Sequence, residues 1–228
     1  MTAVSVVIPA LDEAEHIAPV LEALQPLRAA GGELIVADGG STDATVDVAR
    51  PLADTVLSCA PGRARQMNAG AAAARGHWLW FLHADTVAGA PALAALRAAM
   101  ARPGVQWGRF DVRLSGRHPL LRVVERAMNL RSRLTGICTG DQGIFVRRDL
   151  FRALGGYADI PLMEDIELTR RLRRHGRPLC ITAPLVTSSR RWERHGVVRT
   201  IVLMWRLRLA YALGASPHRL ARLWRASG

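Results

Sequence analysis

Lysine is absent from this 228-residue chain, so its formal net charge of +12 rests wholly on arginine. The forked guanidinium suits phosphates and anionic surfaces better than an ammonium does. Without lysine there is no GxxxxGKS/T loop, and no GxGxxG follows the first strand-like run; both absences disfavour the usual P-loop and dinucleotide sites. The three cysteines, Cys59, Cys138 and Cys180, lie far apart and form no CxxC, which argues against a disulfide framework or a zinc site. No basic segment precedes the first apolar run, so no signal peptide is expected and a cytoplasmic location follows. The longest late apolar stretch, Val197 to Gly214, is interrupted by Arg199, Arg206 and Arg208, whereas a membrane-spanning helix needs roughly 20 apolar residues. The arginines spread over the second half with no Arg-rich tail and no recognisable nucleic-acid motif, so nucleic acid is not an expected partner.

What is present is a chain that is 50% hydrophobic, enough for a sizeable core in one domain spanning 1–228. Val4 to Pro9, Glu33 to Asp38, Thr55 to Ser58 and His77 to Leu82 are short apolar runs that predict buried strands. Helical segments are expected between them: Asp12 to Leu24 (with Pro19 moving its start toward Ala18), one after Gly39-Gly40 capped by Ser41 or Thr42, and Arg65 to Arg75. Pro91 to Met100 follows the fourth strand. This alternation predicts an α/β fold with a mostly parallel, doubly wound sheet over about residues 1–100. Beyond it the rhythm changes. Strands are expected at Phe110 to Leu114, Gly143 to Val146 and Pro178 to Thr182, with helices at His118 to Arg133 and Glu164 to His175. A nucleotide-binding half is thus followed by a mixed half, about 101–195, and by C-terminal helices, about 196–228.

Three carboxylates fall at strand ends: Asp12, Asp38 and Asp85. In an open α/β sheet, ligands bind at the carboxyl ends of the strands. There, three acids suit a base, a ribose and a metal-bound diphosphate, and Asp85 could hold a hard divalent cation. Gly62-Arg63-Ala64-Arg65 adds a glycine turn and two guanidinium groups at a helix start, an anion site. Glu164-Asp165 opens a helix where its dipole favours acids, and either could serve as a general base toward an acceptor hydroxyl. Asp141 and Gln142 lie in a polar turn that could line an acceptor site. Arg190, Arg191 and Trp192 could grip a diphosphate and stack a ring.

These segments line up with a known family. Ile8-Pro9-Ala10-Leu11-Asp12-Glu13 resembles the IPxxNE opening of family 2 glycosyltransferases, and Asp38-Gly39-Gly40-Ser41-Thr42-Asp43 is similar to their DDGSTD. Arg65-Gln66-Met67-Asn68-Ala69-Gly70 looks like the R-N-x-G helix start. Leu82-His83-Ala84-Asp85 takes the place of DxD, Glu164-Asp165 matches the ED pair, and Arg191-Trp192 resembles the C-terminal RW. Order and spacing agree over about residues 4 to 192. The LHADT form also resembles a small bacterial subgroup with some members linked to carotenoid glycosylation. The resemblance implies a GT-A fold, a nucleotide-sugar donor (UDP-linked or similar), and a divalent metal, Mn²⁺ or Mg²⁺. It implies that Asp38 reads the base, with Pro9, Ala10, Asp12, Glu13 and Ala84 about the nucleotide, and that Asp85 holds the metal. Arg63 or Arg65 and the Arg190–Arg191 loop would contact the diphosphate. Asp165 would be the base of an inverting transfer, with Glu164 the competing choice. The chain departs from the pattern at Asp12, in place of Asn, and at His83, in place of the first Asp; a histidine can ligate a transition metal or turn to the ribose or the core.

The sequence names no acceptor and carries no signal of oligomeric state. Tryptophan and arginine together on the C-terminal helices suit a membrane interface. The same segments also suit a pair of helices packed on the domain; the interface reading would place the protein peripherally at the inner face of the cell membrane, with a lipid-like or carotenoid acceptor. Two other readings share the sheet type: a catalytically silent, membrane-associated binding protein, and a sugar-phosphate nucleotidyltransferase. The second is disfavoured because Pro9 to Glu13 stands where a glycine-rich basic loop would be.

Overall fold

Strand β1 (Val4–Ala10) lies in the middle of a parallel group with β2 (Glu33–Asp38), β3 (Thr55–Ser58) and β4 (Trp78–Phe81). A computed structural model describes residues 4–226. β1 and β2 are buried almost throughout, because helices cover both faces. The even-numbered side chains Val4, Val6 and Ile8 pack with Ile17, Leu21 and Leu24 of α1 (Ala14–Ala29) and Leu93 and Leu96 of α4 (Ala90–Ala101). Val7 points the other way, toward Ala64, Met67 and Ala71 of α3 (Arg63–Ala73).

The second half extends the same sheet. Its full order is β3-β2-β1-β4-β7-β6-β8-β5, with β6 at Trp107–Leu114, β7 at Phe145–Arg147, β8 at Leu179–Thr187 and β5 at Thr86–Val87. β7 is antiparallel to β4 and β6, and β5 to β8, while β6 and β8 run parallel. The change of direction at β7 carries the chain back across the parallel half. The remaining helices are α2 (Thr45–Ala49), α5 (Pro119–Thr135), α6 (Arg148–Ala153), α7 (Glu164–Leu172), α8 (Arg190–His195), α9 (Val197–Ala212) and α10 (Pro217–Ala226).

Three local expectations are corrected. α1 starts at Ala14, not near Ala18, and Pro19 lies inside it. Side chains of the following loop hold that early start: Thr45 Oγ1 accepts from Glu13 N at 2.8 Å and Asp43 from Ala14 N at 3.1 Å. Ser41 and Thr42 do not cap α2, whose N-cap is Ala44; both hydroxyls bond Asp38 or Asp12 instead. β8 runs on past Thr182 despite Pro184, because its register against β6 shifts between Phe110 and Val112. A bulge is where a strand tolerates proline. Elements β5, α6 and α8 were not expected at all.

Candidate active site

A cleft of about 800 Å³ opens at the carboxyl ends of β1 and β4. Its walls include Pro9, Ala10 and Glu13 from the end of β1, Gly62 to Gln66 from the start of α3, and His83, Ala84 and Asp85 after β4. The loop of Gly140 and Asp141, the start of α7, the Arg190–Trp192 segment, and residues of α9 and α10 complete it. Sequence positions up to 216 apart thus meet in one depression, because the strand order folds the second half back over the ends of the first.

Two expected nucleotide residues have their carboxylates engaged elsewhere. Asp38 is 3% exposed, and its oxygens accept from Gly40 N, Ser41 N and Ser41 Oγ. Asp12 accepts from Thr42 N at 2.8 Å from a left-handed backbone (φ 52°). Neither lines the cleft. Gln142, expected toward the acceptor, is wholly buried; its amide donates to Ser132 Oγ at 2.9 Å beneath the site. The α3 residues after Arg65 are also structural. Gln66 donates to Ala10 O and Ala37 O and so ties the ends of β1 and β2. Asn68 clasps both backbone polar groups of Tyr157, on the approach to α7.

Three cations of the cleft, Arg63, Arg65 and Arg190, lie against acids. Arg190 donates to Glu13 at 3.0 Å and to Asp85 at 3.3 Å, bridging the ends of β1 and β4. Arg65 is held by both oxygens of Asp159 on the exposed rim. Arg63 lies 3.8 Å from Glu164. Arg191 stacks over the Trp224 ring at 3.4 Å and donates to the Trp224 carbonyl, fastening α10 to the cleft. Trp192 reaches the cleft but is mostly buried with Leu114, Leu121 and Val197.

The acid pair sits on a strained turn. Met163, the residue before α7, adopts φ 72°, a region that non-glycine residues seldom visit and that clusters at functional sites. Its side chain is held in a cluster with Ile166, Leu207 and Leu220. Asp165 accepts from Gly140 N at 2.9 Å and from Ile166 N at 2.6 Å, which fixes the plane of its carboxylate. Glu164 is 4% exposed, and its carboxyl is pushed above the ordinary value by burial and by the charge of Asp165, with Arg63 opposing.

His83 does not present a free imidazole. Nδ1 pairs with Asp141 Oδ1 at 3.2 Å, and Nε2 is buried without a partner against Gly140, where any Cβ would overlap it. Burial alone would raise the Asp141 carboxyl, but the His83 hydrogen bond and the charges of His83, Arg63 and Arg131 hold it below the ordinary carboxylate value. Among the described residues, no group of three or more His, Cys, Asp or Glu side chains is arranged to hold a metal ion.

Sequence reasoning missed Asp159, Met204, Leu207, His218 and Trp224 on the cleft wall. It noted Arg208 only as a break in an apolar run; a lone charge inside an otherwise apolar helix was the available signal.

A parallel half with a cleft at its strand ends, extended across the antiparallel β7 to a second half whose α7 brings an acid pair to the same cleft, defines a GT-A fold. The chain superimposes on S. aureus TarS 1-349 with a TM-score of 0.69 at 18% identity, over 82% of this chain and 61% of that one. It also matches glucosyl-3-phosphoglycerate synthase from Mycobacterium tuberculosis, in complex with Mn²⁺, UDP and glucosyl-3-phosphoglycerate. There the TM-score is 0.60 at 24% identity, over 82% of this chain and 71% of that one. A 49-residue stretch is 49% identical to the succinoglycan biosynthesis protein ExoA of Rhizobium meliloti (strain 1021), covering 21% of this chain and 15% of ExoA. The chain therefore spans about three fifths of the TarS fragment, and its match to ExoA is a short segment. Residues 5–155 match the model of Glycosyl transferase family 2, and the chain belongs to that family.

Proposed function

We propose that this chain transfers a sugar, with inversion, from a nucleotide-diphosphate sugar (UDP-linked) to an acceptor hydroxyl. The observation that carries the reading is the oriented Asp165 carboxylate opening into the same cleft as Asp85, Arg63 and Arg190. Structures of TarS with UDP-GlcNAc and of the M. tuberculosis synthase with UDP-glucose supply the donor class. Asp165 takes the proton of the acceptor hydroxyl, the acceptor oxygen bonds to the anomeric carbon, and the bond from that carbon to the nucleoside diphosphate breaks. Pro9, Ala10, Glu13 and Ala84 flank the nucleotide, and Arg63 and Arg190 neutralise the departing diphosphate. Asp85 would hold a Mn²⁺ or Mg²⁺ ion together with diphosphate oxygens, the mode in which one carboxylate suffices, and the ion would add to that charge neutralisation. His83 is left out of the metal shell in this assignment, because Asp141 takes its Nδ1 and its Nε2 is buried against Gly140. Asp38 shapes the base-binding loop through its backbone bonds.

The test is a screen of nucleotide-sugars with Mn²⁺, Mg²⁺ or EDTA, read by thermal shift and by release of nucleoside diphosphate. Stabilisation by a UDP-sugar with slow release is expected. No shift with any sugar nucleotide overturns the reading, and binding without turnover across an acceptor panel favours the catalytically silent alternative.

A second observation bears on where the acceptor resides. α5 exposes Leu120, Val123, Leu130 and Leu134, and α9 exposes Val198, Val202, Trp205 and Leu209, each a stripe at helical spacing. α9 adds the exposed Arg199 and Arg206 and carries no acid. Such a basic, apolar face matches an anionic lipid surface. Among the described residues no helix is long and apolar enough to cross a membrane. Attachment at this face would occur in the interface plane, and α10, whose Leu220 and Ala221 are buried, would serve the cleft instead. Sedimentation with anionic vesicles is expected, and none with neutral ones; no binding to either would refute attachment.

A further inference from the structure

We propose that Arg131 of α5 and Arg208 of α9 form a second anion site beside Asp165, holding a phosphate group carried by the acceptor. This rests on the glycosyltransfer reading, because it assigns the group that lies next to the attacked hydroxyl.

The observation is a pair of guanidinium groups without partners. Arg131 Nε and Nη2 and Arg208 Nη1 are buried and have no hydrogen bond. Neither side chain makes an ion pair of 4 Å or less among the described residues, whereas other enclosed arginines do. Arg109 pairs with Asp111 and donates to Asn129 O; Arg171 pairs with Glu167 and donates to Leu154 O and Gly156 O. Arg109 and Arg122 also leave Nε without an acceptor, but each keeps an ion pair; among the described residues only Arg131 and Arg208 combine orphaned buried guanidinium nitrogens with no ion pair. Burial pulls both below the usual arginine value, and burial together with the Arg208 charge brings Arg131 to about 10. Asp165 attracts both, yet its oxygens accept from backbone N–H groups instead. Arg208 lines the cleft with Leu207 and Met204. Buried donors without acceptors persist at a cost to the empty protein, which a ligand with several acceptor oxygens removes.

Phosphate fits this pair better than carboxylate does. A phosphomonoester carries about −1.5 to −2 charge and three acceptor oxygens, enough to balance two forked cations, while a carboxylate balances one. The donor's diphosphate has its own cations, Arg63 and Arg190, grouped with Glu164 and Asp85. The phosphate could belong to a soluble phosphomonoester or to a lipid headgroup; the site reads the same chemistry in both.

The test fills the donor site with UDP and then titrates inorganic phosphate at constant ionic strength, following binding by calorimetry. Wild-type protein is expected to bind phosphate, and Arg131→Gln and Arg208→Gln to bind it roughly tenfold more weakly or worse. Without ligand both variants should melt at or above the wild-type temperature, since each removes a repelled buried cation; a purely structural arginine would give the opposite. If either variant folds poorly, Arg208→Lys, which keeps the charge and loses the fork, should weaken phosphate in the folded protein. Unchanged phosphate affinity in the variants, or no binding by UDP-loaded wild type, overturns the proposal. If UDP itself does not bind, the donor reading fails, and titrating phosphate into the free protein and its variants still decides the arginine site. Competition by glycerol 3-phosphate assigns a soluble source; competition only by phosphatidic acid vesicles, with phosphatidylcholine vesicles inert, assigns a lipid one.

Discussion

The two sides of the cleft use their charged groups in opposite ways. On the strand-end side, the carboxylates of Asp12, Asp38 and Asp43 accept hydrogen bonds from the loops that carry them or lie beside them. On the helical side, formed by α5, α7 and α9, Arg131 and Arg208 hold buried nitrogens without partners, and Glu164 is an acid that burial disfavours as an anion. The first side satisfies its charges within the protein, and the second leaves some of them unmet. The most recognisable loop, Asp38 to Asp43, does not line the cleft.

Asp165→Asn should have the largest effect. It keeps the shape and the bond from Gly140 N but removes the base, so transfer should fall by about 10²–10⁴-fold while UDP affinity measured by calorimetry stays unchanged. Retained activity would move the base to Glu164. Next comes Asp38→Ala, which leaves Gly40 N, Ser41 N and Ser41 Oγ without their acceptor and should cost about 1–3 kcal/mol in chemical denaturation. An unaltered midpoint would show that the loop does not depend on this carboxylate, and the contrast drawn above would fail.

Glu164→Gln tests the other side. The folded-state value of Glu164 is raised above the ordinary 4.5, so its stabilising contribution is full below the unfolded value and is lost as pH rises through the folded one. The neutral glutamine avoids that loss. The variant should melt above wild type at about pH 8, and the difference should shrink toward pH 5; a lower melting temperature at pH 8 would contradict the assignment. The smallest stability effect belongs to Trp205→Ser, at a side chain 72% exposed. Its unfolding free energy should stay within about 0.5 kcal/mol of wild type while sedimentation with anionic vesicles drops; undiminished sedimentation would remove α9 from the membrane contact.

Much of the fold was legible because the first four strands are unbroken apolar runs separated by helical periodicity, as in Glu33 to Asp38 and Trp78 to Phe81. β5 has only two residues, and β8 continues past Pro184 only because a bulge absorbs it; local pattern carries neither fact. Asp85, Glu164 and Asp165 were legible as cleft residues since strand ends and helix starts place them there. The inward turn of Asp38 and the burial of Gln142 depend on tertiary hydrogen bonds that spacing does not encode. Arg131 and Arg208 are 77 positions apart by number, and only the packing of α9 on α5, through Leu121, Val124, Ile201 and Met204, brings their charges within reach of each other.

The contact between His83 and Gly140 has a consequence for how this sequence can vary. With an imidazole filling the space above Gly140, no larger residue can be accepted there by a single change. An acid at position 83 would instead face the carboxylate of Asp141 across the room the ring now fills. Positions 83, 140 and 141 therefore constrain one another: His83→Asp would trade a paired, packed imidazole for a poorly filled and repulsive contact with Asp141.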